Sequence, residues 1–375
     1  MDVRRKLCLQ KNPYDLQKNR GLFLEAVKND VAFHAENCPE YAGILNAAGF
    51  SIDEIDSEDA LYKIPVIPTL YYKRNYLCSV PERKLIIRAT SSGTKGRQSK
   101  VGFDRKTFFY GVLMMIRFFS YHKVLSLLPT NYIVLGYEPS KHTQMGAVKT
   151  AYGTTKFAPA LHREYALKDT GTGYELNIDG VKKALLRYAK CKCGLPVRFV
   201  GFPSYMFFLL KMLKENNLSF KLNSRSKVLL GGGWKQFSDE EIDRDLFFEL
   251  IHDTLGIEKH NCFEFYSAVE HPLPYVKCKN GHFHVPVYSR VIIRDVKTLD
   301  PVPAGSLGLL SFVSPLVSSM PLTSVVTDDL AILHDGSGCG CGIRTDYFEI
   351  KGRAGISQIK TCTTDALELA QGGVQ

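Results

Sequence analysis

The chain has 375 residues, of which 45% are hydrophobic and 23% charged, so it is longer than the usual single domain and too ordinary in composition for wholesale disorder. Lysine and arginine exceed aspartate and glutamate by 48 − 38 = 10 charges, which favours anionic partners such as a nucleotide or a carboxylate. No apolar stretch reaches the roughly 20 residues of a membrane-spanning helix, and no apolar run follows the basic start. We therefore expect a cytoplasmic protein without membrane insertion, in which the cysteines stay reduced.

The first 84 residues are predicted to form an N-terminal helical cap of the large domain. One helix is predicted over residues 22–37. Two prolines exclude helix from the segment at residues 64–68, which is therefore expected to be extended.

From about residue 85, short β-rich runs alternate with helix-length amphipathic segments, which indicates an α/β fold. A strand is predicted at residues 84–88, and Asp104 is placed to cap a helix that ends near Tyr121. Further strands and helices are predicted at residues 131–136, 143–152, 157–161, 178–189, 197–201, 205–216, 227–230 and 239–255. Strands joined by helices usually lie parallel, with ligands at their carboxyl ends.

Beyond residue 262 the pattern changes to strands separated by tight turns. Strands are predicted at residues 262–266, 285–296, 307–313 and 325–333. This half is expected to form a partly antiparallel sheet or a distorted β-barrel. We predict a core over residues 85–350 and a short C-terminal segment over residues 351–375.

A polar loop after the first predicted strand carries the strongest chemical signal. Residues 90–100 read TSSGTKGRQSK. Hydroxyls, close backbone amides and lysines suit a polyphosphate, although the spacing is not that of a Walker loop. A polar surface turn is the alternative interpretation.

This loop resembles the phosphate loop of the adenylate-forming enzymes, which include acyl-CoA synthetases and nonribosomal-peptide adenylation domains. Lys95 replaces a usual Thr, and Ser99 a usual Pro. Further similar motifs follow in the family's order: GGGW at 231–234, FYSAVE at 265–270, GSLGLL at 305–310, TDDL at 327–330, and GR at 352–353 before IK at 359–360. The resemblance implies the α/β large domain of that superfamily, with mixed sheets, flanking helices and a distorted β-barrel half.

The resemblance also implies ATP and Mg²⁺ as cofactors and a role for each matching position. It implies that Tyr266 stacks near adenine, that Asp329 binds the ribose hydroxyls and that Glu270 holds Mg²⁺. The ATP-binding residues that it implies are Ser91, Ser92, Gly93, Thr94, Lys95, Gly96, Gly231, Gly232, Gly233, Tyr266, Asp329 and Arg353. Members of the superfamily have a catalytic lysine in a second domain, and this lysine has no counterpart here. Its role is expected to fall to Lys95, Lys100 or Lys360, and the sequence does not say which.

A closer resemblance is to the acyl-protein synthetases of bacterial luminescence operons, the LuxE-like family, whose C-terminal domain is likewise reduced to a short tail. The segments YSAVEHP at 266–272 and IKTCTTDA at 359–366 are similar to that family. It implies activation of a fatty acid to acyl-AMP, transfer of the acyl group to Cys362 as a thioester, and passage to a partner acyl-protein reductase of the LuxC-like type. Lys360, two positions before Cys362, is placed to lower the pKa of that thiol.

Cysteine and histidine residues in the β-rich half suggest a structural Zn²⁺ site. Cys339 and Cys341 form a tight pair in a glycine-rich turn, and Cys278 lies near His282 and His284 on a predicted hairpin. A Cys₃His set suits tetrahedral Zn²⁺, and a similar arrangement occurs in the phenylacetate-CoA-ligase-like branch. The predicted ligands are Cys278, His284, Cys339 and Cys341. A loop with reduced thiols is the alternative.

Two other functions stay open from the sequence. One is a phenylacetate-type acyl-CoA ligase, which releases a soluble thioester and does not need Cys362. The other is a non-catalytic nucleotide-binding or metal-binding component. Nucleic-acid binding is not expected, because the chain lacks aromatic and basic interleaving and a recognition-helix signature.

Overall fold

The computed structural model describes residues 2–91, 98–140, 146–190, 194–234 and 241–354. They belong to two compact units. The first unit joins Met1–Lys123 to Ala268–Gln375, and the second unit is Val124–Ser267. The boundaries predicted at residues 84 and 350 stay a prediction.

Helices and strands alternate through much of the described chain. The helices are α1 (Val3–Cys8), α2 (Leu16–Asn37), α3 (Pro39–Ala47), α4 (Ala60–Lys63), α5 (Thr69–Tyr72), α6 (Arg105–Tyr121), α7 (Gly146–Thr154), α8 (Ile178–Lys190), α9 (Pro203–Glu215) and α10 (Arg244–Leu255). The strands are β1 (Ile67–Pro68), β2 (Leu85–Thr90), β3 (Lys100–Asp104), β4 (Thr130–Tyr137), β5 (Ala160–Asp169), β6 (Tyr174–Leu176), β7 (Val197–Gly201), β8 (Lys227–Gly231), β9 (Cys262–Tyr266), β10 (Tyr275–Val276), β11 (Phe283–His284), β12 (Arg290–Arg294), β13 (Leu307–Val313), β14 (Ser324–His334) and β15 (Tyr347–Arg353). None of the helices among the described residues combines the length and the apolar character needed to cross a bilayer.

Side-chain caps explain where two long helices of the first unit begin. The Asp104 carboxylate accepts a hydrogen bond from the Thr107 amide at 2.9 Å, and α6 follows directly, which confirms the predicted start. Helix α2 begins earlier than predicted, after Asp15, whose carboxylate accepts from the Lys18 amide. The capping aspartate, rather than the first apolar residue, sets this boundary.

The first unit contains a mostly antiparallel sheet in the order β11-β15-β14-β13-β12, with β1 parallel to β14. The sheet alternative is therefore confirmed, and the described strands show no closed barrel. The strand predicted at residues 285–296 is shorter, because Pro286 offers no amide and its carbonyl accepts from Ser289 in a turn. Strand β15 was not predicted as a strand.

A separate antiparallel hairpin of the first unit carries the phosphate-loop motif. Strand β2 pairs with β3, and Thr90 lies opposite Lys100. The sequence predicts only the first of these strands. The loop therefore connects two hydrogen-bonded strands, and it is not followed at once by a helix.

The second unit is built around a parallel sheet in the order β9-β8-β7-β4-β5, to which β6 adds antiparallel to β5. Helices α8, α9 and α10 bury their apolar faces against one side of it, around Phe199, Leu210 and Ile251. Helix α7 contacts β4 and β7. The α/β pattern predicted for this region is confirmed, and the carboxyl ends of these strands lie at one edge of the sheet.

Candidate active site

The predicted phosphate loop begins and ends on a pair of serines in the first unit. The Ser91 amide donates to the Ser99 carbonyl at 3.1 Å, and the Ser99 amide donates to the Ser91 hydroxyl at 3.0 Å. Lys100 follows on β3 and is exposed. These bonds hold the loop closed at its base. The predicted loop residues between these serines, Ser92, Gly93, Thr94, Lys95 and Gly96, lie outside the described residues.

Glu270, predicted to hold Mg²⁺, is a buried carboxyl group with 4% of its surface exposed. Burial raises its pKa and outweighs the Ser99 hydroxyl and the Lys73 ammonium, which lower it, while the Asp328 carboxylate raises it further. A buried carboxylate whose negative charge is not fully compensated is stabilised by a nearby cation. The donor chemistry therefore fits Mg²⁺, which prefers oxygen ligands.

Asp329 and Arg353, both predicted to contact ATP, lie opposite each other on β14 and β15. Arg353 Nε donates to Asp329 Oδ1 at 3.0 Å, and the Arg353 side chain is largely exposed. The Asp329 amide also donates a hydrogen bond to the Thr327 hydroxyl at 3.2 Å. The structure thus brings these two predicted residues together as an ion pair.

In the second unit, the predicted adenine-contacting residues follow two neighbouring parallel strands. Gly231 ends β8 opposite Phe265 of β9, and Tyr266 ends β9. Gly232 has φ +76°, a left-handed backbone conformation that favours glycine. Gly233 follows, and Trp234 is buried with its ring 5.4 Å from that of Phe207. The glycine-rich loop and Tyr266 therefore lie at the carboxyl edge of this sheet.

The four predicted zinc ligands come together in the first unit. One potential ligand atom from each of Cys278, His284, Cys339 and Cys341 lies within 4.8 Å of the others. His284 Nε2 is 3.2 Å from both Cys339 Sγ and Cys341 Sγ, and Cys278 Sγ is 3.6 Å from Cys339 Sγ. On a tetrahedral Zn²⁺, two thiolates lie about 3.8 Å apart, and a thiolate and an imidazole nitrogen about 3.5 Å apart. The donors and their spacing fit this ion.

Surrounding groups orient the cluster and set its charge. His284 Nδ1 lies 2.7 Å from the Thr345 carbonyl, so a proton there leaves Nε2 directed at the sulfurs. Burial raises the pKa of Cys278, but hydrogen bonds from His284 and from nearby backbone amides outweigh burial and lower this pKa to about 6. Burial and the neighbouring sulfurs raise the pKa of Cys339 to about 12. A divalent cation would remove this penalty by stabilising several thiolates together.

The turn that carries two of the cysteines depends on glycine. Gly340 lies between Cys339 and Cys341 with φ +69°, and Gly342 has φ +103°. These left-handed conformations let both sulfurs face His284 within three residues of chain. The turn is therefore built to present a pair of thiols.

Comparison with known families identifies the chain. The model of the family described as "Acyl-protein synthetase, LuxE" matches residues 4–370. The protein belongs to the LuxE acyl-protein synthetase family. It is therefore an enzyme of the ligase class in that family, and the family predicted from its motifs is confirmed.

Two curated relatives are similar to this LuxE-family chain in sequence, and a solved structure is similar to it in fold. The relative from Aliivibrio fischeri, named long-chain-fatty-acid–luciferin-component ligase, is 28% identical over 86% of this chain and 82% of its own length. The relative of the same name from Vibrio harveyi is 25% identical over 87% of this chain and 82% of its own length. A crystal structure of an open conformation of 2-hydroxyisobutyryl-CoA ligase matches 92% of this LuxE-family chain and 76% of its own chain, with a TM-score of 0.64 at 16% identity. It supports the predicted fold of the adenylate-forming enzymes.

Sequence reasoning missed a charged pair beside Glu270 in this LuxE-family enzyme. Lys73 Nζ lies 3.3 Å from Asp328 Oδ2, and the Thr69 hydroxyl donates to Asp328 Oδ1 at 3.1 Å. The TDDL motif at 327–330 contains Asp328, but nothing in its local pattern indicates a partner. Its partners Lys73 and Thr69 lie 255 and 259 positions earlier in the chain, so the sequence alone did not reveal them.

Proposed function

We propose that this enzyme activates a fatty acid with ATP, holds the acyl group on Cys362 as a thioester, and passes it to a partner acyl-protein reductase. The observation that carries the proposal is the LuxE-family match over residues 4–370. The names of the two curated relatives support a long-chain fatty acid as substrate and ligation as the reaction. The buried Glu270 and the Asp329–Arg353 pair supply groups of the kind that this chemistry needs.

The first half-reaction converts an unreactive carboxylate into an acyl donor. A carboxylate oxygen of the fatty acid attacks the α-phosphorus of ATP, the bond from this phosphorus to the bridging oxygen breaks, and pyrophosphate leaves. The product is a mixed anhydride of the fatty acid and AMP. Positioning and charge neutralisation supply most of the acceleration in phosphoryl chemistry of this type.

Residues of the first unit would bind and orient the nucleotide. Asp329 would accept hydrogen bonds from the ribose hydroxyls while Arg353 holds its carboxylate in place at 3.0 Å. Ser91 and the loop that it begins, together with Lys100, would contact the phosphates. When bound at Glu270, Mg²⁺ would neutralise phosphate oxygens. In the second unit, Gly231, Gly232 and Gly233 would let the backbone approach the adenine ring, which would stack on Tyr266.

In the second half-reaction, the Cys362 thiolate would attack the acyl carbonyl carbon and AMP would leave with the bonding electrons. The carbon–sulfur bond forms as the carbon–oxygen bond to AMP breaks. Lys360 would favour the thiolate by its positive charge. Both residues lie outside the described part of the chain. A reductase would then take the acyl group from this thioester.

The cysteine and histidine cluster would hold a structural Zn²⁺ in the same enzyme. Four protein ligands leave no open position for a substrate or a water molecule, which is typical of structural sites. The ion would connect the β11 region to the turn before β15.

The enzyme would act in the cytoplasm, in line with the predicted location.

Two measurements on the purified protein test the two half-reactions separately. Pyrophosphate exchange into ATP, over a panel of carboxylic acids, measures adenylation. Intact-mass spectrometry after incubation with ATP and the best acid measures self-acylation. We expect exchange with long-chain fatty acids in the wild type and in Cys362→Ala, and an acyl adduct in the wild type alone.

Other outcomes distinguish the alternatives. Exchange without an adduct, together with formation of acyl-CoA when CoA is added, would indicate a phenylacetate-type CoA ligase. No exchange with any acid would indicate a non-catalytic binding component. The variant Asp329→Asn tests the nucleotide contact in the first step. Loss of the ribose contact should raise the KM for ATP roughly 10-fold or more, as expected when a hydrogen bond to a charged group is lost.

A further inference from the structure

A cavity lies at the opposite edge of the parallel sheet from the proposed adenine-contacting residues. Its volume is about 390 Å³, and all its lining residues belong to the second unit. Arg198 and Lys227 line it from the amino ends of β7 and β8, and Asn261 lines it just before β9. Arg225 and His260 lie at its exposed rim. Among the described residues that line it, basic side chains occur and acidic side chains do not.

Arg198 is the decisive feature of this cavity. Only 1% of its surface is exposed, yet its Nε and Nη1 atoms are buried without a hydrogen-bond partner in the described structure. Burial lowers the pKa of the guanidinium group, and its hydrogen bond with the Tyr132 hydroxyl, a neutral partner, offsets this only in part. A buried charge without an opposite charge beside it is strongly unfavourable, so natural proteins normally compensate it. Among the described residues, the guanidinium group has no anionic partner.

Lys227, on the neighbouring strand, is a second partly buried cation that an anion would stabilise. It lies in register with Arg198, so two cations face each other across adjacent parallel strands. Its ammonium group donates to Asn261 Oδ1 at 2.8 Å, which is a neutral partner. Burial lowers the pKa of Lys227, and the Arg198 charge lowers it further. Like charges in directly opposed positions destabilise a sheet unless something compensates them.

The arrangement selects the chemistry of the ligand. A guanidinium group with two free donors and an adjacent ammonium group match a compact anion with several oxygens and more than one negative charge. Phosphate has this character, whereas chloride has no oxygen acceptors. The volume of the cavity exceeds that of one phosphate ion, and Leu125 and Leu128 give it an apolar part. A small organic group attached to the phosphate therefore also fits.

We propose that this cavity is a binding site for a phosphate group, either the free ion or a small phosphomonoester, held by Arg198 and Lys227. The site is separate from the proposed ATP contacts in the same unit. Strand β8 runs from Lys227 at the cavity to Gly231 at the other edge. Its four residue steps of about 3.3 Å span roughly 13 Å. A nucleotide against Gly231 therefore does not occupy the cavity.

The test is a thermal-unfolding titration of the full chain with inorganic phosphate, at ionic strength held constant with chloride. The stability of the wild type should rise with phosphate, as expected for a ligand that binds only the folded state. In Arg198→Met, the apparent phosphate affinity should fall roughly 10- to 100-fold, the loss expected for hydrogen bonds to a charged group. Without phosphate, this variant should be at least as stable as the wild type, because an unpaired buried charge has been removed.

Two further variants control for folding and for nonspecific effects. Lys227→Met should also weaken the phosphate response, and it provides the test if Arg198→Met does not fold. Lys214→Met replaces an exposed lysine of α9 and should respond as the wild type does. Phosphate bound at the ATP site or a general salt effect would shift all variants equally. An equal shift in the wild type, Arg198→Met and Lys227→Met, or no shift in the wild type, would overturn the proposal.

The same titration with a phosphomonoester identifies the source of the phosphate group. Glycerol 3-phosphate and inorganic phosphate are compared at equal concentration. A stronger response to glycerol 3-phosphate that Arg198→Met abolishes would assign the site to phosphorylated small molecules. A response to inorganic phosphate alone would assign it to the free ion.

Discussion

Individual side chains decide the character of the cysteine cluster. The Cys339 sulfur contacts groups from both parts of the cluster, since it lies 3.6 Å from Cys278 Sγ and 3.2 Å from His284 Nε2. His282 Nδ1 also lies 3.2 Å from this sulfur, but the His282 ring stacks on Tyr347. The spacing of the cysteines in the sequence indicated the site. The similar arrangement in the phenylacetate-CoA-ligase-like branch suggested a histidine as the fourth ligand, and the orientation of His284 depends on the Thr345 carbonyl.

Replacing one cluster cysteine should remove the metal. We expect the wild type, purified without chelator, to contain about one zinc ion per chain, as in closed four-ligand sites, and Cys341→Ser to contain far less. Elemental analysis by mass spectrometry measures this content. Cys78→Ser is the matched control, because Cys78 lies outside the cluster and donates to the Val80 carbonyl, as a serine hydroxyl can. Equal zinc in Cys341→Ser and the wild type, or a metal-free wild type, would contradict the assignment.

At the scale of elements, α6 shows what local patterning can and cannot predict. Its start at Asp104 and its end near Tyr121 follow from the capping residue and the apolar spacing. The contacts at the end of this helix do not follow from these local signals. The Nε2 atom of His122, the residue after its end, lies 2.8 Å from the Tyr14 hydroxyl, and its ring meets that of Phe118 edge-on at 4.7 Å. A helix C-terminus favours a charged histidine, but burial lowers the pKa of His122 to about 4.

This histidine should make stability depend on pH. Its folded-state pKa is below its ordinary value near 6.5, so the unfolded chain takes up a proton first as the pH falls. The free energy of unfolding should therefore decrease between about pH 6.5 and pH 4, by up to about 3 kcal/mol. Urea unfolding at several pH values measures it. The slope should become smaller in His122→Gln and stay unchanged in His252→Gln, which replaces an exposed histidine. Equal slopes in all three proteins would contradict this prediction.

At the scale of the whole molecule, a buried charge network joins distant parts of the first unit. Arg4 Nη1 lies 3.0 Å from Asp30 Oδ1, and Asp30 Oδ2 accepts from the Thr323 hydroxyl at 2.6 Å. Arg4 also donates to the Ser318 hydroxyl at 3.0 Å. Helices α1 and α2 are thereby connected to residues that are about 300 positions later in the chain. The buried charges of the first unit are thus satisfied by residues from both of its chain segments.

Breaking this network should destabilise the protein strongly. Asp30→Ala removes the nearest carboxylate of the buried Arg4 and leaves only the more distant Asp2, at 3.8 Å from Arg4 Nε, as an acidic partner in the described structure. We expect a loss of about 3–5 kcal/mol in the free energy of unfolding. The double variant Arg4→Met/Asp30→Leu should recover much of this loss, because no unpaired charge remains. Asp53→Ala breaks the exposed Lys28–Asp53 pair and should cost about 1 kcal/mol or less. Denaturant unfolding compares the variants. Similar losses for Asp30→Ala and Asp53→Ala would contradict the interpretation.

Much of the fold was accessible from the sequence because strands and helices follow local periodicity and capping. The predicted strands at Val197–Gly201, Cys262–Tyr266 and Leu307–Val313 match the observed bounds. The order of motifs indicated the family, and the cysteine spacing indicated the candidate metal site. These signals lie within short segments, so one sequence contains them completely.

Only the tertiary structure decided which charged groups meet. Lys73 pairs with Asp328, Arg4 pairs with Asp30, and Arg198 faces Lys227 across two strands. Neither the distance along the chain nor the local pattern encodes these contacts, because they depend on strand order and register. The electrostatic energy of a charge depends on how deeply it is buried and on what surrounds it, and both arise only when the chain is folded.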